Sequence, residues 1–368
     1  MTSTMRISKL LFIVLLSGSS FASFFPSKNY SISEEPVGIA VADLNGDGKL
    51  DIVATGTGGS GRWLVSVLLG KGDGTFQAVL NTPLTFSPSG LVIGDMNGDK
   101  IPDLVISGLN TVYTLLGKGN GRFQTPLQAP SDGQDGHIAL GDFNGDGNLD
   151  VAVSEGGNNE IGILIGKGDG SLSGAAFYPV SPFPNYVAVG DFNKDGKLDI
   201  ASSNKGPNGP EVDVLLGNGD ATFQAFVPYS AGKGPMVMVD VNHDGNLDII
   251  AADGVTGPSV HVLLGNSDGT FQSEMVFLVP GTIAGQIALA DFNQDGNVDM
   301  VIAQETSNTV ALFDGDGAGN FQISGNPLPA GKVAHTVATG DFNGDGKPDF
   351  VVGHSQSTNI SVFLNAGN

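Results

Sequence analysis

Asp43-Leu44-Asn45-Gly46-Asp47-Gly48-Lys49-Leu50-Asp51 is the stretch around which this chain is organised, because a nonapeptide of the same form occurs seven times. The copies begin at Asp43, Asp95, Asp142, Asp191, Asp240, Asp291 and Asp341, at steps of 52, 47, 49, 49, 51 and 50 residues. Each reads D-x-N-x-D-x-x-x-D. Six copies have Gly at the sixth position, and the second has Lys100 there. Three carboxylates and a carboxamide packed into nine residues repel one another unless they gather round a hard cation. Calcium takes about six to eight oxygens at roughly 2.3–2.6 Å, delivered by a tight loop from alternate positions. Glycine at the sixth position permits the sharp turn that a side chain would obstruct.

The expected ligands of the first site are Asp43, Asn45, Asp47, the backbone carbonyl of Lys49, and Asp51. The same positions give Asp95, Asn97, Asp99, Ile101 and Asp103 in the second copy, and Asp142, Asn144, Asp146, Asn148 and Asp150 in the third. Asp191, Asn193, Asp195, Lys197 and Asp199 follow, then Asp240, Asn242, Asp244, Asn246 and Asp248. The last two sets are Asp291, Asn293, Asp295, Asn297, Asp299 and Asp341, Asn343, Asp345, Lys347, Asp349. Position seven varies among Lys, Ile and Asn, as expected where only the main chain is used. About seven calcium ions are therefore expected. An Asx-rich turn without metal is the bland alternative, and even spacing over seven copies argues against it. An EF-hand is excluded by the flanks. It needs a Glu at position twelve and a helix on each side, whereas this chain has Ala54, Ile106, Val153, Ser202, Ala251, Ile302 and Val352 there.

At 368 residues the chain could hold two ordinary domains or one array, and the repeats decide for the array. A hydrophobic share of 40 % is enough for a core, and the 56 glycines mark turns rather than disorder. The net charge is −22, and the seven loops hold 21 of the 38 acidic residues. Seven bound dications would leave −8, so the acidity is mostly loop chemistry. It argues against nucleic acid, which needs a basic face. There is no Cys, hence no disulfide framework and no lipid-anchoring thiol.

The N-terminus reads as a secretory signal over residues 1–22. Arg6 and Lys9 precede the apolar run Leu10–Leu16 and then Ser20-Phe21-Ala22, with cleavage expected after Ala22. That run is too short to span a bilayer, and no other stretch approaches spanning length. A secreted chain working in calcium-rich extracellular fluid is the expectation, with no membrane insertion.

Each metal loop is preceded by strict alternation. Ile39 and Val41, Leu91 and Ile93, Ile138 and Leu140, and Val187 and Val189 form a bulky face. Ala40 and Ala42, Val92 and Gly94, Ala139 and Gly141, and Ala188 and Gly190 form a tight one. Period two means a strand, and small residues suit innermost strands converging on an axis. A second strand follows the loop, as in Asp51–Ala54. A third reads Val65–Gly70, and then a Gly-rich hairpin ends in Phe-Gln at Phe76-Gln77, Phe123-Gln124 and Phe271-Gln272. Leu172 and Ser173 depart from this in the third repeat. A fourth strand completes the unit.

Four strands per repeat of about 50 residues is the signature of a β-propeller blade. The expected fold is all-β, a seven-bladed β-propeller with four antiparallel strands per blade, over residues 23–368. The chain stops after the third strand of blade seven, and Phe24–Ile32 resembles the missing fourth. Pairing of this N-terminal strand with the C-terminal blade would close the ring and remove exposed edges.

The D-F-N-G-D-G-x-x-D loops followed by L-L-G-x-G-D-G-T-F-Q resemble the FG-GAP/VCBS repeats of integrin-type seven-bladed propellers, over essentially the whole of the expected mature chain. The resemblance implies calcium in the loop between strands one and two of each blade. Its members include secreted bacterial proteins, the integrin α-subunit head and a fungal lectin. They share a scaffold and not one activity.

The loops opposite the metal end vary from repeat to repeat: Thr55–Trp63, Asn81–Gly90, Glu155–Glu160, Ser181–Tyr186, Ser203–Glu211 and Leu328–His335. Binding residues tend to sit on such loops, so a ligand is expected on this face near the axis. The residue five before each first Asp is Gly38, Gly90, His137, Tyr186, Pro235, Gln286 or Thr336, which suits one asymmetric site better than seven equal ones. Trp63, His137, Phe183, Tyr186, Gln286, His335 and His354 are the candidate contacts, since aromatic faces stack on sugars and anchor interfaces. The bland reading is that each covers its own loop. His335 and His354 both fall in blade seven, but no third ligand is evident for a metal there.

Gly56-Thr57-Gly58-Gly59-Ser60-Gly61 satisfies G-x-G-x-x-G, but a strand follows it rather than a helix. H-E-x-x-H and phosphate-loop patterns are absent. Asp132, Asp135 and Glu155 cluster around blade three and are the one set from which a lyase or glycosidase could draw paired carboxylates. The expectation is a non-enzymatic, monomeric binding or adhesion module for an extracellular protein or glycan, with a lectin as the alternative and a polysaccharide-degrading enzyme behind it.

Overall fold

The computed structural model describes residues 22–58, 61–206, 209–254, 257–279 and 284–367, without the side chains of residues 133–135 and 284. Of the expected signal segment, residues 1–22, all but Ala22 lie outside them. No helix among the described residues is long and apolar enough to cross a membrane. The structure is all-β, with seven blades and four antiparallel strands in each.

Blade one is Glu35–Ala42, Asp51–Thr57, Trp63–Leu68 and Leu80–Leu84, paired in that order from the axis outward. Blades four and five repeat the arrangement from inner strands Tyr186–Gly190 and Met236–Val239. In blade six, which starts from Ala284–Ala290, the outer position is shared by Phe321–Ile323 and Leu328–Pro329, both paired with Thr309–Gly315. Blades two and three share one ladder because Leu127–Gly141 runs unbroken from the outer edge of one to the inner edge of the next. Within blade two, Asp103–Leu115 pairs with Leu91–Gly94 through residues 103–106 and with Leu127–Gly141 through residues 109–114. Asn110, at a left-handed φ of 56°, lies in that second stretch.

Blade seven is composite. Ala334–Gly340, Asp349–His354 and Asn359–Phe363 supply three strands, and Lys28–Ser31 from the other end of the chain is the fourth. Ahead of it, Ser23–Phe24 pairs with Asn365–Gly367. Phe24 meets Phe292 edge-on at 5.8 Å, as Phe76 meets Phe342 at 5.7 Å. The N-terminus thus supplies both the outer strand and the aromatic that a Phe-Gln hairpin contributes elsewhere.

Seven apolar clusters sit between neighbouring blades, including one that joins Ile39, Ile52 and Phe76 of blade one to Phe342, Val351 and Ile360 of blade seven. Opposite faces of each inner strand turn to the two neighbours. A Cβ on Gly94 would lie 2.5 Å from Leu140, and one on Gly190 2.6 Å from Leu247. The bulky face of one blade therefore needs the small face of the next, which is the reason for the large–small alternation.

Candidate functional site

At one end of the molecule lie the nonapeptide loops. Asp43 Oδ1 accepts from the backbone N–H of Gly46 at 2.8 Å and Asp47 at 3.1 Å, and its Oδ2 accepts from Gly48 at 2.7 Å. Asn45 Oδ1 accepts from Asp47 N–H, and Asp47 Oδ1 from Lys49 N–H. The other copies wind in the same way. The sixth position is left-handed in every copy, with Gly48 at a φ of 77° and Lys100 at 67°. Lys100 accepts the strain of a conformation that suits glycine. Lys49, Lys197 and Lys347 reach back to Asp47, Asp195 and Asp345 at 3.5–3.7 Å, in partly exposed pairs of little energetic weight.

The ninth position behaves differently. Asp51, Asp103, Asp150, Asp199, Asp248, Asp299 and Asp349 are buried, at 0–1 % exposure. In Asp150, Oδ2 accepts from Phe143 N–H at 2.9 Å and Oδ1 from Gly166 N–H at 2.8 Å. The first bond closes the loop, and the second ties it to the end of the third strand. In blade seven Asn365 N–H replaces the glycine, donating to Asp349 at 2.7 Å. Burial, reinforced by the other loop carboxylates, pushes Asp248 and Asp349 up to about 6 against the pull of these hydrogen bonds.

Among the described residues no three His, Cys, Asp or Glu side chains converge on one point. The groups at each loop tip are nonetheless all hard oxygens: Asp at positions one and five, Asn at three and the carbonyl at seven. That chemistry fits calcium. Positions one and nine both have their two oxygens engaged by backbone N–H groups and would add their remaining lone pairs, position nine from a buried site.

At the opposite end, where the inner strands begin, a cavity of about 570 Å³ opens beside the axis. His137, Tyr186, Phe183 and His335 all line it. The His137 and Tyr186 rings stack at 3.6 Å with 20° between planes. Burial, and next the charge of His335, lowers His137 to about 3. Burial, with Glu305 adding, raises the Tyr186 phenol. Both rings keep a partly exposed edge on the cavity, so water there moderates the shifts. Phe183 stands on the rim, 62 % exposed at a left-handed φ of 58°, its N–H donating to Asn159 Oδ1 at 2.9 Å. An exposed aromatic held in a disfavoured backbone conformation points to a site. His335 Nδ1 lies 2.6 Å from Glu305 Oε1.

The remaining candidates lie elsewhere. Trp63 packs against the apolar cluster between blades one and two. Gln286 lies in the inner strand of blade six, next to the lining residue Gly285. His354 is fully buried inside blade seven, with Nε2 2.8 Å from Ser361 Oγ, and is not on the open face with His335. Glu155 is also buried, its Oε1 accepting from the Asp132 N–H at 3.3 Å, and the Asp135 side chain lies outside the described residues. Sequence reasoning did not single out Lys205, Lys233, Asp253 and Glu305, which line the same cavity. A scarce lysine in a variable loop just ahead of an inner strand was the available signal for Lys233.

The FG-GAP-like repeat matches residues 43–106, 95–153, 142–202, 191–251, 240–302 and 291–352. The chain belongs to the FG-GAP-like repeat family. No curated protein is significantly similar to this FG-GAP propeller in sequence. Among solved structures it is similar to an Agrocybe aegerita lectin described as specifically recognising non-reducing terminal N-acetylglucosamine. The TM-score is 0.58 at 21 % identity, covering 91 % of this chain and 86 % of that one. A functionally unknown protein from Desulfotomaculum acetoxidans gives a TM-score of 0.60 at 15 % identity, covering 83 % and 90 %. At these identities the likeness shows the fold.

Proposed function

We propose that this FG-GAP propeller is a secreted, calcium-loaded binding module that holds a saccharide in its axial cavity and performs no chemistry on it. The observation that carries the reading is the stacked His137–Tyr186 pair beside the strained, exposed Phe183, with Asn185 and charged side chains around the same opening. Aromatic faces with a few placed polar groups are how a rigid scaffold grips a sugar ring. The lectin neighbour supports a saccharide over a protein partner, and calcium in the loops at the other end acts as a folding clamp rather than a ligand contact.

A glycan array probed with calcium-loaded protein tests this. Phe183→Ala is the variant of choice, because its ring is largely exposed and its removal leaves the core intact. The expectation is a defined set of bound glycans and a drop of about tenfold on losing this ring. An array without hits, with protein partners recovered by pull-down, would transfer the module to protein adhesion.

A further inference from the structure

The charged groups around the axial cavity are unevenly engaged. Its carboxylates are held: Asp253 Oδ1 lies 3.0 Å from His261 Nε2, and Glu305 Oε1 2.6 Å from His335 Nδ1. Its ammonium groups are not. Lys205 and Lys233 form no ion pair among the described residues, in a chain with 38 acidic and only 16 basic side chains. Lys233 is half-buried, so its ammonium is partly screened from water and is left to meet an incoming anion directly.

Both lysines are positioned on one wall. Ser203 Oγ donates to Gly234 O at 2.9 Å and Lys233 O at 3.3 Å, tying the strand that carries Lys205 to the segment that carries Lys233. Lys205 N–H donates to Pro182 O at 2.9 Å, and its Nζ lies 5.7 Å from the centroid of the Phe183 ring. The aromatic rim and the cationic wall are thus one assembly.

We propose that the cavity selects an anionic saccharide, with Lys205 and Lys233 on its carboxylate or sulfate and Phe183 and Tyr186 on the ring. This rests on the saccharide reading above and narrows it. Calorimetric titration of the calcium-loaded protein with three oligosaccharides tests it: one bearing a hexuronate, its carboxyl-reduced neutral counterpart, and that counterpart carrying a sulfate ester. The uronate or the sulfate form should bind about 10- to 100-fold more tightly than the neutral one, as charge-assisted hydrogen bonds require. The arm with the larger gain identifies the acidic group. The preference should shrink as salt rises, and in the Lys205→Gln/Lys233→Gln double variant the charged-to-neutral affinity ratio should fall towards one. Equal binding of charged and neutral sugars by the native protein overturns this proposal and leaves the saccharide reading standing. Binding of neither overturns both. The native comparison decides even if the double variant does not fold.

Discussion

The buried aspartate at position nine separates two roles that a metal-ligand pattern merges, and Asp150→Ala tells them apart. In the folded chain its carboxylate satisfies Phe143 N–H at 2.9 Å and Gly166 N–H at 2.8 Å, both out of water. Leaving two buried donors unpaired costs about 1–3 kcal/mol each, so roughly 4 kcal/mol in all. For a propeller of about 340 residues the unfolding entropy is about 0.7 kcal/mol/K, and the melting temperature should fall by about 6 °C. The decisive condition is excess chelator, where no calcium term remains. Asp146→Ala, at the exposed loop tip, should then cost under about 1 kcal/mol. With calcium restored, both variants should lose a site. Scanning calorimetry of the native protein and both variants, with and without chelator, reads all of this. If Asp150→Ala melts with the native protein in chelator, the backbone role assigned to position nine is wrong.

Three further outcomes are expected. Chelating the native protein should lower its melting temperature by on the order of tens of degrees, because ions bound only to the folded state stabilise it by mass action; an unchanged melt would remove the clamp role. Asp213 is fully buried and pushed up to about 6 by burial, with Glu211 adding and hydrogen bonds from Ser181 opposing. A raised carboxyl contributes stability that is fully present below about pH 4 and lost as pH rises through about 6, so Asp213→Asn should gain up to about 3 kcal/mol at pH 8 and little at pH 4. A stability gap that fails to widen with pH in urea titrations would contradict this. Phe24→Ala should cost about 2 kcal/mol, since the ring lies half-buried between Phe292 and Phe350 at 5.8 and 4.9 Å; an unaltered melt would show that the N-terminal aromatic does not brace the composite blade.

Much of this was legible in the chain because the repeat is local. The seven nonapeptides, the alternation ahead of each and the Phe-Gln hairpins lie within one blade's length of sequence. The expectation of a site near the axis on the variable face also came from a local feature, the unlike residues at His137, Tyr186 and Pro235. His354 illustrates the limit. Its place at the end of a second strand reads as a loop-face position, yet the ring turns inward to Ser361. Only the pairing of that strand with Asn359–Phe363 and the approach of residue 331 to the ring decide this.

The sequence by itself determined the number of blades, the chemistry of the loops and the end of the molecule left free to vary, because each follows from residue type at fixed spacing. Tertiary structure alone decided which carboxylates face out and which staple the backbone, because the second donor to each buried Asp arrives from the end of the third strand. It alone brought Phe183, Tyr186, Lys205, Lys233 and His335 to one opening. Those residues come from blades four, five and seven, and only the curvature of a packed ring sets them side by side.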